Sequence, residues 1–454
     1  MFFYYETVQN KFEFMNLSEC DDVTLKDKRI TVSPVATTLV RKVKTETAYQ
    51  LYSGRINFGD AAPESRKYII AVGVGTAPYQ WCGPDDQGLG INNDNPNVRN
   101  IFSLFKEKQM SDLRNGLAFV MFDQTHEGYH APWLFDWFHN SCRQFNIPPK
   151  QVIYFTGDID VKEKYQKWAA ERQVSPDICM VGWPHFEDVI YDVSKGYHEF
   201  GIPHPGKIEL RKLPDFEHQI SFKKFNPSGI KSFNILQKRQ RIHRLWFYKF
   251  LYDADLVNSN IVSMNKFESW QTFVDNKGIL PDECAKLNTN LPLVPDENPI
   301  NYTQSNFTSD DGGAYIIKIN DITMLQTWCS IVSEASCGDW EGNCFISEKT
   351  FKPIACQHPF MILGSRHVLR NLRQLGYKTF DPYINEEYDE LPTFERMEAI
   401  IGEMKRIQNM SIPQKFKWYY DIEGILKYNF RHLENRCADY VKTVYTILQN
   451  HIGA

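Results

Sequence analysis

"QVIYFTGDIDVKEKYQKWAAERQVSPDICMVG", residues 151–182, decides the fold. Its first seven residues are apolar and rich in β-branched and aromatic types, the pattern of a buried strand that ends in a glycine turn. "DVKEKYQKWAAERQ" then takes a helical period, and "DICMVG" (177–182) returns to strand. Strand, helix, strand over about thirty residues is a βαβ unit, which demands a parallel neighbour and a sheet covered by helices.

Working outward, "KYIIAVGVGT" (67–76) and "GLAFVMFDQ" (116–124) read as further strands of the same kind. A loop rich in Gly, Asn, Asp and Pro (83–98) and a helix around 99–110 separate them. A second helix follows, with Trp133, Leu134, Trp137 and Phe138 on one face. The first 65 or so residues read as a polar lead, and roughly 195–230, with scattered Pro and Gly, as irregular structure and a domain junction. A second alternating series then begins with strand "KSFNILQ" (231–237), helix "RIHRLWFYKFLYDA" (241–254) and strand "NIVSMN" (260–265). After an Asn-, Pro- and Asp-rich insertion (287–313) come strand "AYIIKIN", helix "DITMLQTW", strand "CSIVSEA", the 344–364 element and a run of helices to 449. The expected fold is therefore α/β, two Rossmann-like domains facing a cleft, 1–230 and 231–454. In such sheets ligands bind beyond the C-terminal ends of the strands.

Composition excludes several classes. The 454 residues carry 51 basic and 56 acidic side chains, a net charge of −5, so no global field draws the chain to nucleic acid or an anionic membrane. No apolar run reaches the ~18 residues of a spanning helix, and "MFFYYETVQNKFEFM" lacks the basic start and apolar core of a secretion signal. Ten dispersed cysteines show no CxxC pair, which argues against a structural zinc site. A cytoplasmic protein with reduced thiols is expected, its sequons at Asn16, Asn301, Asn306 and Asn409 unused.

The chemistry concentrates at Ser347-Glu348-Lys349-Thr350, where the pattern predicts that a strand meets a helix start. Free N–H groups there attract anions, Lys349 adds a full charge, and Glu348 suits a ribose hydroxyl better than a phosphate. Pro353 argues for a helix start nearer Thr350. Arg241, His243 and Arg244 place a second cationic helix start directly after a strand, fit for the other side of a diphosphate.

"SEASCGDWEGNCFISEKTFKPIACQHPFMILGS" (333–365) resembles the donor-binding segment of the α-1,3-fucosyltransferases and their GT-B-fold relatives. The matched positions are Glu334, Ser336, Phe345, Glu348, Lys349, Pro359 and Gly364. The likeness covers roughly 231–410, and "LRQLGYKTFDPYINEEYDEL" is also similar to glycosyltransferase-like proteins of phages and bacteria. The resemblance implies a UDP- or GDP-sugar donor, ribose contact for Glu348, pyrophosphate contact for Lys349 and a second diphosphate cation from Arg244 or Arg241. It further implies inversion at the anomeric carbon with no metal required at the chemical step. Ala335, Cys344 and Ser347 depart from the family's Asn, Asp and Thr, which bears on the donor sugar more than on the nucleotide.

The N-terminal half is expected to hold the acceptor and a general base. "FVMFDQTHEGYH" ends a strand with Glu127, favoured as base, then Asp123 and His126. Asp158-Ile159-Asp160 is a DxD, the competing metal-dependent arrangement, with oxygen ligands suited to Mg²⁺ or Mn²⁺. Glycan, protein or lipid acceptors rank ahead of DNA. DNA finds support in residues 207–249, where eleven Lys or Arg face three acids. A non-catalytic carbohydrate-binding protein is the alternative of a different class.

Overall fold

The computed structural model describes residues 3–6, 12–15, 67–73, 100–105, 107–125, 128, 133–195, 213–237, 241–264, 287, 291, 293, 319, 321–338 and 343–453. They form an α/β protein with two sheets, each in its own compact unit. Among the described residues, one unit runs to His185 and takes back the chain from Arg436, and the other spans Phe186 to Asn435.

The first sheet contains β1 (Phe3–Glu6), β2 (Phe12–Met15), β3 (Tyr68–Gly73), β4 (Ala118–Gln124), β5 (Val152–Thr156) and β6 (Cys179–Gly182) in the order β2-β1-β3-β4-β5-β6. All neighbours are parallel except the β1–β2 pair. The polar lead expected over the first 65 residues thus contains two strands, β2 at the edge of the sheet and β1 next to it. Their "FYYE" and "FEFM" are β-favouring but too short to stand out beside acids.

From β3 to β6 every crossover steps the same way. Right-handed connections then put α1 (Glu107–Arg114), α2 (Leu134–Phe145) and α3 (Val161–Arg172) on one face. There Ile70, Val120, Phe122, Val152, Tyr154 and Met180 meet Leu113, Trp137, Phe138, Val161 and Tyr165 in one core. Phe122 lies 5.9 Å from Trp137 edge-to-face and 5.2 Å from Phe138. Helix α2 ends on Asn146 and α3 on Gln173, both left-handed, which satisfies the last carbonyls of each helix. Gly182 is required at the end of β6, because a Cβ there would lie 2.5 Å from the Ile159 carbonyl oxygen.

In the second unit, α4 (His185–Ser194) and α5 (Phe216–Phe225) precede the sheet. The irregular junction expected over 195–230 therefore contains a helix, capped by the Asp215 carboxylate on His218 N–H at 2.9 Å. Its buried Phe216 and Ile220, four apart, were hidden between prolines and glycines. The compact units divide at 185/186, whereas the sequence reading puts the boundary at 230/231. The reason is packing: Glu187 is hydrogen-bonded by the Tyr377 hydroxyl, and Gln219 Nε2 donates to Gln357 O at 3.1 Å.

The second sheet contains β7 (Lys231–Gln237), β8 (Ile261–Met264), β9 (Thr327–Ser333) and β10 (Phe360–Leu363), all parallel, in the order β10-β9-β7-β8. From β7 the chain steps one way to β8 through α6 (Ile242–Asp253). From β9, on the other side of β7, it steps the opposite way to β10 through α8 (Glu348–Ala355), α7 (Asp321–Leu325) having led into β9. Right-handed crossovers in opposite directions place α6 and α8 on opposite faces, the doubly wound arrangement. The winding reverses between β7 and β9. The strand expected over 314–320 lies outside the described residues, apart from Ile319.

Past β10 come α9 (Val368–Gln374), α10 (Thr393–Gln408), α11 (Ile412–Asp421), α12 (Glu423–Ala438) and α13 (Tyr440–Ile452). In α10 the stripe Met397, Ile400, Ile401, Met404 and Ile407 is buried as its spacing demands, packed on β7, β10 and α6. Helix α13 belongs to the first unit. Its stripe Tyr440, Val444, Leu448 and Ile452 is buried, with Tyr440 5.1 Å from Trp183 and His451 6.0 Å from Phe119. Lys67 Nζ donates to Ile452 O at 2.6 Å, a cation on a helix C-terminus. Among the described residues no helix is long and apolar enough to cross a membrane.

Candidate functional site

In an open α/β sheet the two loops on either side of a winding reversal splay apart, which leaves a crevice at the C-terminal strand ends. Here those loops leave β7 and β9. The first leads to Arg241, the exposed N-cap of α6, and to His243 and Arg244 in its first turn. No acidic residue stands there to complement the helix dipole.

Arg244 is 3% exposed, and its guanidinium donates to the carbonyls of Ser333 at 3.0 Å and Glu334 at 3.1 Å. His243 Nε2 bonds the same Glu334 carbonyl at 3.1 Å. Burial first, then the Arg244 charge, pull the His243 pKa down to about 3, so the ring is neutral at physiological pH and Nε2–H is the donor. The charges of Arg241 and Lys349 act in the same direction, so both reach this ring. Two side chains of α6 thus bind the end of β9.

Glu334 is fully buried and its carboxylate is saturated. Oε1 accepts from Ser347 N–H at 3.1 Å and Thr350 Oγ1 at 2.6 Å; Oε2 accepts from Ser347 Oγ at 2.5 Å and Ala335 N–H at 3.3 Å. Those bonds fix the start of α8. Ser347 is its N-cap, with Oγ accepting from Lys349 N–H at 3.3 Å, so the helix begins at Glu348 and not near Thr350. Pro353 consequently lies inside the helix. The lost backbone bond is offset by the four donors converging on Glu334.

Lys349 Nζ bonds Glu348 Oε1 at 2.6 Å and Ser347 Oγ at 3.2 Å, with about a quarter (26%) of its side chain exposed. Burial alone would push the Glu348 pKa up, but the Lys349 and Lys352 charges overcome it and hold the carboxyl below its ordinary value. Burial pulls Lys352 down to about 8, with Glu348 opposing and Lys349 adding to the fall. One carboxylate is therefore shared by two ammonium groups, and the cluster keeps positive charge to spare for an anion. A third cation, Arg396, is fully buried and donates to the carbonyls of Leu391, Cys337 and Gly364. It ties the loop after β9 to the end of β10.

The structure brings Arg241, Arg244, Glu334, Glu348 and Lys349 to one sheet edge. It gives Glu334 and Arg244 supporting contacts and leaves Lys349 and Arg241 the more accessible cations. Lys352 and His243 join them. Lys352 had a signal in the sequence, since it follows Glu348 by four residues on one helix. Asp123, in the other unit, ends β4 fully buried, with Oδ1 accepting from Thr125 N–H at 3.1 Å and Oγ1 at 2.8 Å. Glu127 and His126 lie outside the described residues. In the DxD, both oxygens of buried Asp158 are bound by Lys164 Nζ, at 2.7 and 2.6 Å. A divalent cation there would have to displace an ion pair in place.

Comparison with known proteins finds no matching family model, no similar curated protein and no similar solved structure.

Proposed function

We propose that the C-terminal edge of the second sheet binds the diphosphate of a UDP- or GDP-sugar, and that the protein is a glycosyltransferase of the two-domain GT-B class. The observation that carries this reading is the convergence of two cation-bearing helix starts, α6 and α8, on Glu334 where the winding reverses. Lys349, Lys352 and Arg241 supply charge and the first N–H groups of α8 supply dipole, a combination suited to phosphate.

The chemistry follows from that placement. The bond between the anomeric carbon and the diphosphate oxygen breaks, an acceptor hydroxyl oxygen bonds to the carbon, and a carboxylate takes the hydroxyl proton. Glu127 is the candidate for that base. The negative charge growing on the leaving diphosphate is met by ammonium groups already in position, which is where such a site gains most of its rate. A glycan, protein or lipid acceptor fits better than DNA. Of the eleven cations in 207–249, Lys223 and Arg244 are buried, and burial holds the Lys223 pKa well below its ordinary value, so the basic patch is smaller than its sequence suggests.

Calorimetric titration with UDP, GDP and their sugar conjugates in EDTA tests the reading. Micromolar binding of one diphosphate is expected. Binding only when Mn²⁺ is added would transfer the case to Asp158 and Asp160, and no binding in either condition would leave a non-catalytic role.

A further inference from the structure

The strands that flank the reversal end on polar residues, Gln237 in β7 and Ser333 in β9. The β7–β9 ladder pairs Asn234 with Ser330 and Ile235 with Ile331, and each strand runs two residues past that last pair, to Gln237 and to Ser333. Strand side chains alternate with a period of two, so Gln237 and Ser333 project to the same face as the paired Ile235 and Ile331. Both are buried, Gln237 at 0% exposure and Ser333 at 2%.

Among the described residues neither side chain has a hydrogen-bond partner: the amide nitrogen and oxygen of Gln237 and the hydroxyl of Ser333 are all unmatched. The backbone around them is engaged, with Gln237 N–H donating to Ser263 Oγ at 3.2 Å and the Ser333 carbonyl accepting from Arg244. A buried polar group without a partner costs stability, which a methionine and an alanine would avoid at nearly the same volume. The neighbouring Glu334 receives four donors, so orphaned polar atoms beside it point to a partner that arrives from outside.

We infer that Gln237 and Ser333 form a polar subsite for the uncharged part of the nucleotide sugar, a nucleobase amide edge or a sugar hydroxyl. A neutral amide offers one donor side and one acceptor side. Such a pair matches a group that both gives and receives hydrogen bonds, and it lacks the charge to compete with Lys349 and Lys352 for phosphate. The inference rests on the reading that a nucleotide lies at this edge. It divides the labour there, with charge at the α8 side and hydrogen-bond recognition on the strand ends.

The experiment uses the near-isosteric Gln237→Met, Ser333→Ala and the double variant, each measured for thermal stability and for affinity toward UDP, GDP, UDP-glucose and GDP-fucose. The melting temperature of each variant should equal or exceed that of the wild type, because an unmatched polar group has been removed. Affinity for the preferred ligand should nevertheless fall about tenfold, and the double variant should lose little more than the worse single one, because both groups hold the same partner. Loss already seen with the bare diphosphate assigns the subsite to base or ribose; loss confined to the conjugate assigns it to the sugar. Wild-type affinity in all three variants, with the wild-type protein binding a diphosphate normally, overturns this inference and spares the proposed function. A lower melting temperature with unchanged affinity also overturns it, by showing that ordered water pairs with the two groups. A wild type that binds none of the four ligands removes both.

Discussion

The two sheets repeat the same strand–helix unit and differ in the direction in which the repeats step. In the first, every crossover from β3 to β6 goes the same way, so α1, α2 and α3 crowd one face and the other is covered by α13 from the far end of the chain. In the second, the chain steps outward from its centre both ways, so each face has its own crossover helix and the two loops between them part. Room for chemistry therefore lies at the reversal. A carboxylate at a strand end of the first sheet, Asp123, is closed in by its own turn through Thr125, whereas strand ends at the reversal carry Arg244, Glu334 and the start of α8.

If binding belongs to the reversal alone, damage to the first sheet should leave it intact. Leu448→Ala removes a fully buried side chain of α13 and should cost about 3 kcal/mol in denaturant unfolding. The protein that remains folded should bind nucleoside diphosphate as the wild type does, and a collapse of affinity would break the comparison. Glu334→Ala should act on both counts: it leaves the donors of Ser347 and Thr350 without their acceptor, at about 2–3 kcal/mol, and frees the start of α8. Full nucleotide affinity in that variant would mean the helix start is not part of the site. Lys349→Ala should weaken UDP or GDP binding by roughly thirtyfold, as expected for one charge-assisted contact, and lower the melting temperature moderately, because buried Glu348 loses its bonded cation and keeps only Lys352. Equal binding by wild type and variant in calorimetry would end the donor assignment.

The smallest effect is a pH dependence with opposite signs in two measurements. Lys352 loses its proton above about 8 in the folded chain, against an ordinary value of 10.5. The unfolded chain therefore holds more protons between those values, and the Lys352 contribution to folding stability should rise with pH across that window. Diphosphate affinity should instead fall several-fold as pH passes 8, because a cation is lost. Lys352→Arg should abolish both trends, and a wild-type affinity flat from pH 7 to 9.5 would remove Lys352 from the site.

Much of the fold was legible because strands buried on both faces read as continuous apolar runs. β4, β5, β7 and β9 stand out as "AFVMFDQ", "VIYFT", "KSFNILQ" and "TWCSIVS". The direction of stepping was not legible, because strand order depends on which distant strands pair and leaves no local pattern. The site divides similarly. Lys349 and Arg241 announce themselves as cations at helix starts, but the sequence alone makes Glu334 one more acidic residue near a ligand. Its saturation by four donors appears only when Ala335, Ser347 and Thr350 meet in space. Gln237 and Ser333 gave no sequence signal, since being unmatched is a property of surroundings.

The return of α13 to the first unit sets the order in which the protein can be completed. During synthesis β3 to β6 emerge early and can pair, and α1 to α3 can cover one face as they appear. The contacts of Phe119 and Trp183 with α13 must wait until the whole second unit and α13 have followed. At ~5–20 residues per second that delay is on the order of tens of seconds. The first unit to be made is thus the last to be finished, and for that interval Phe119 and Trp183 lack the α13 partners His451 and Tyr440.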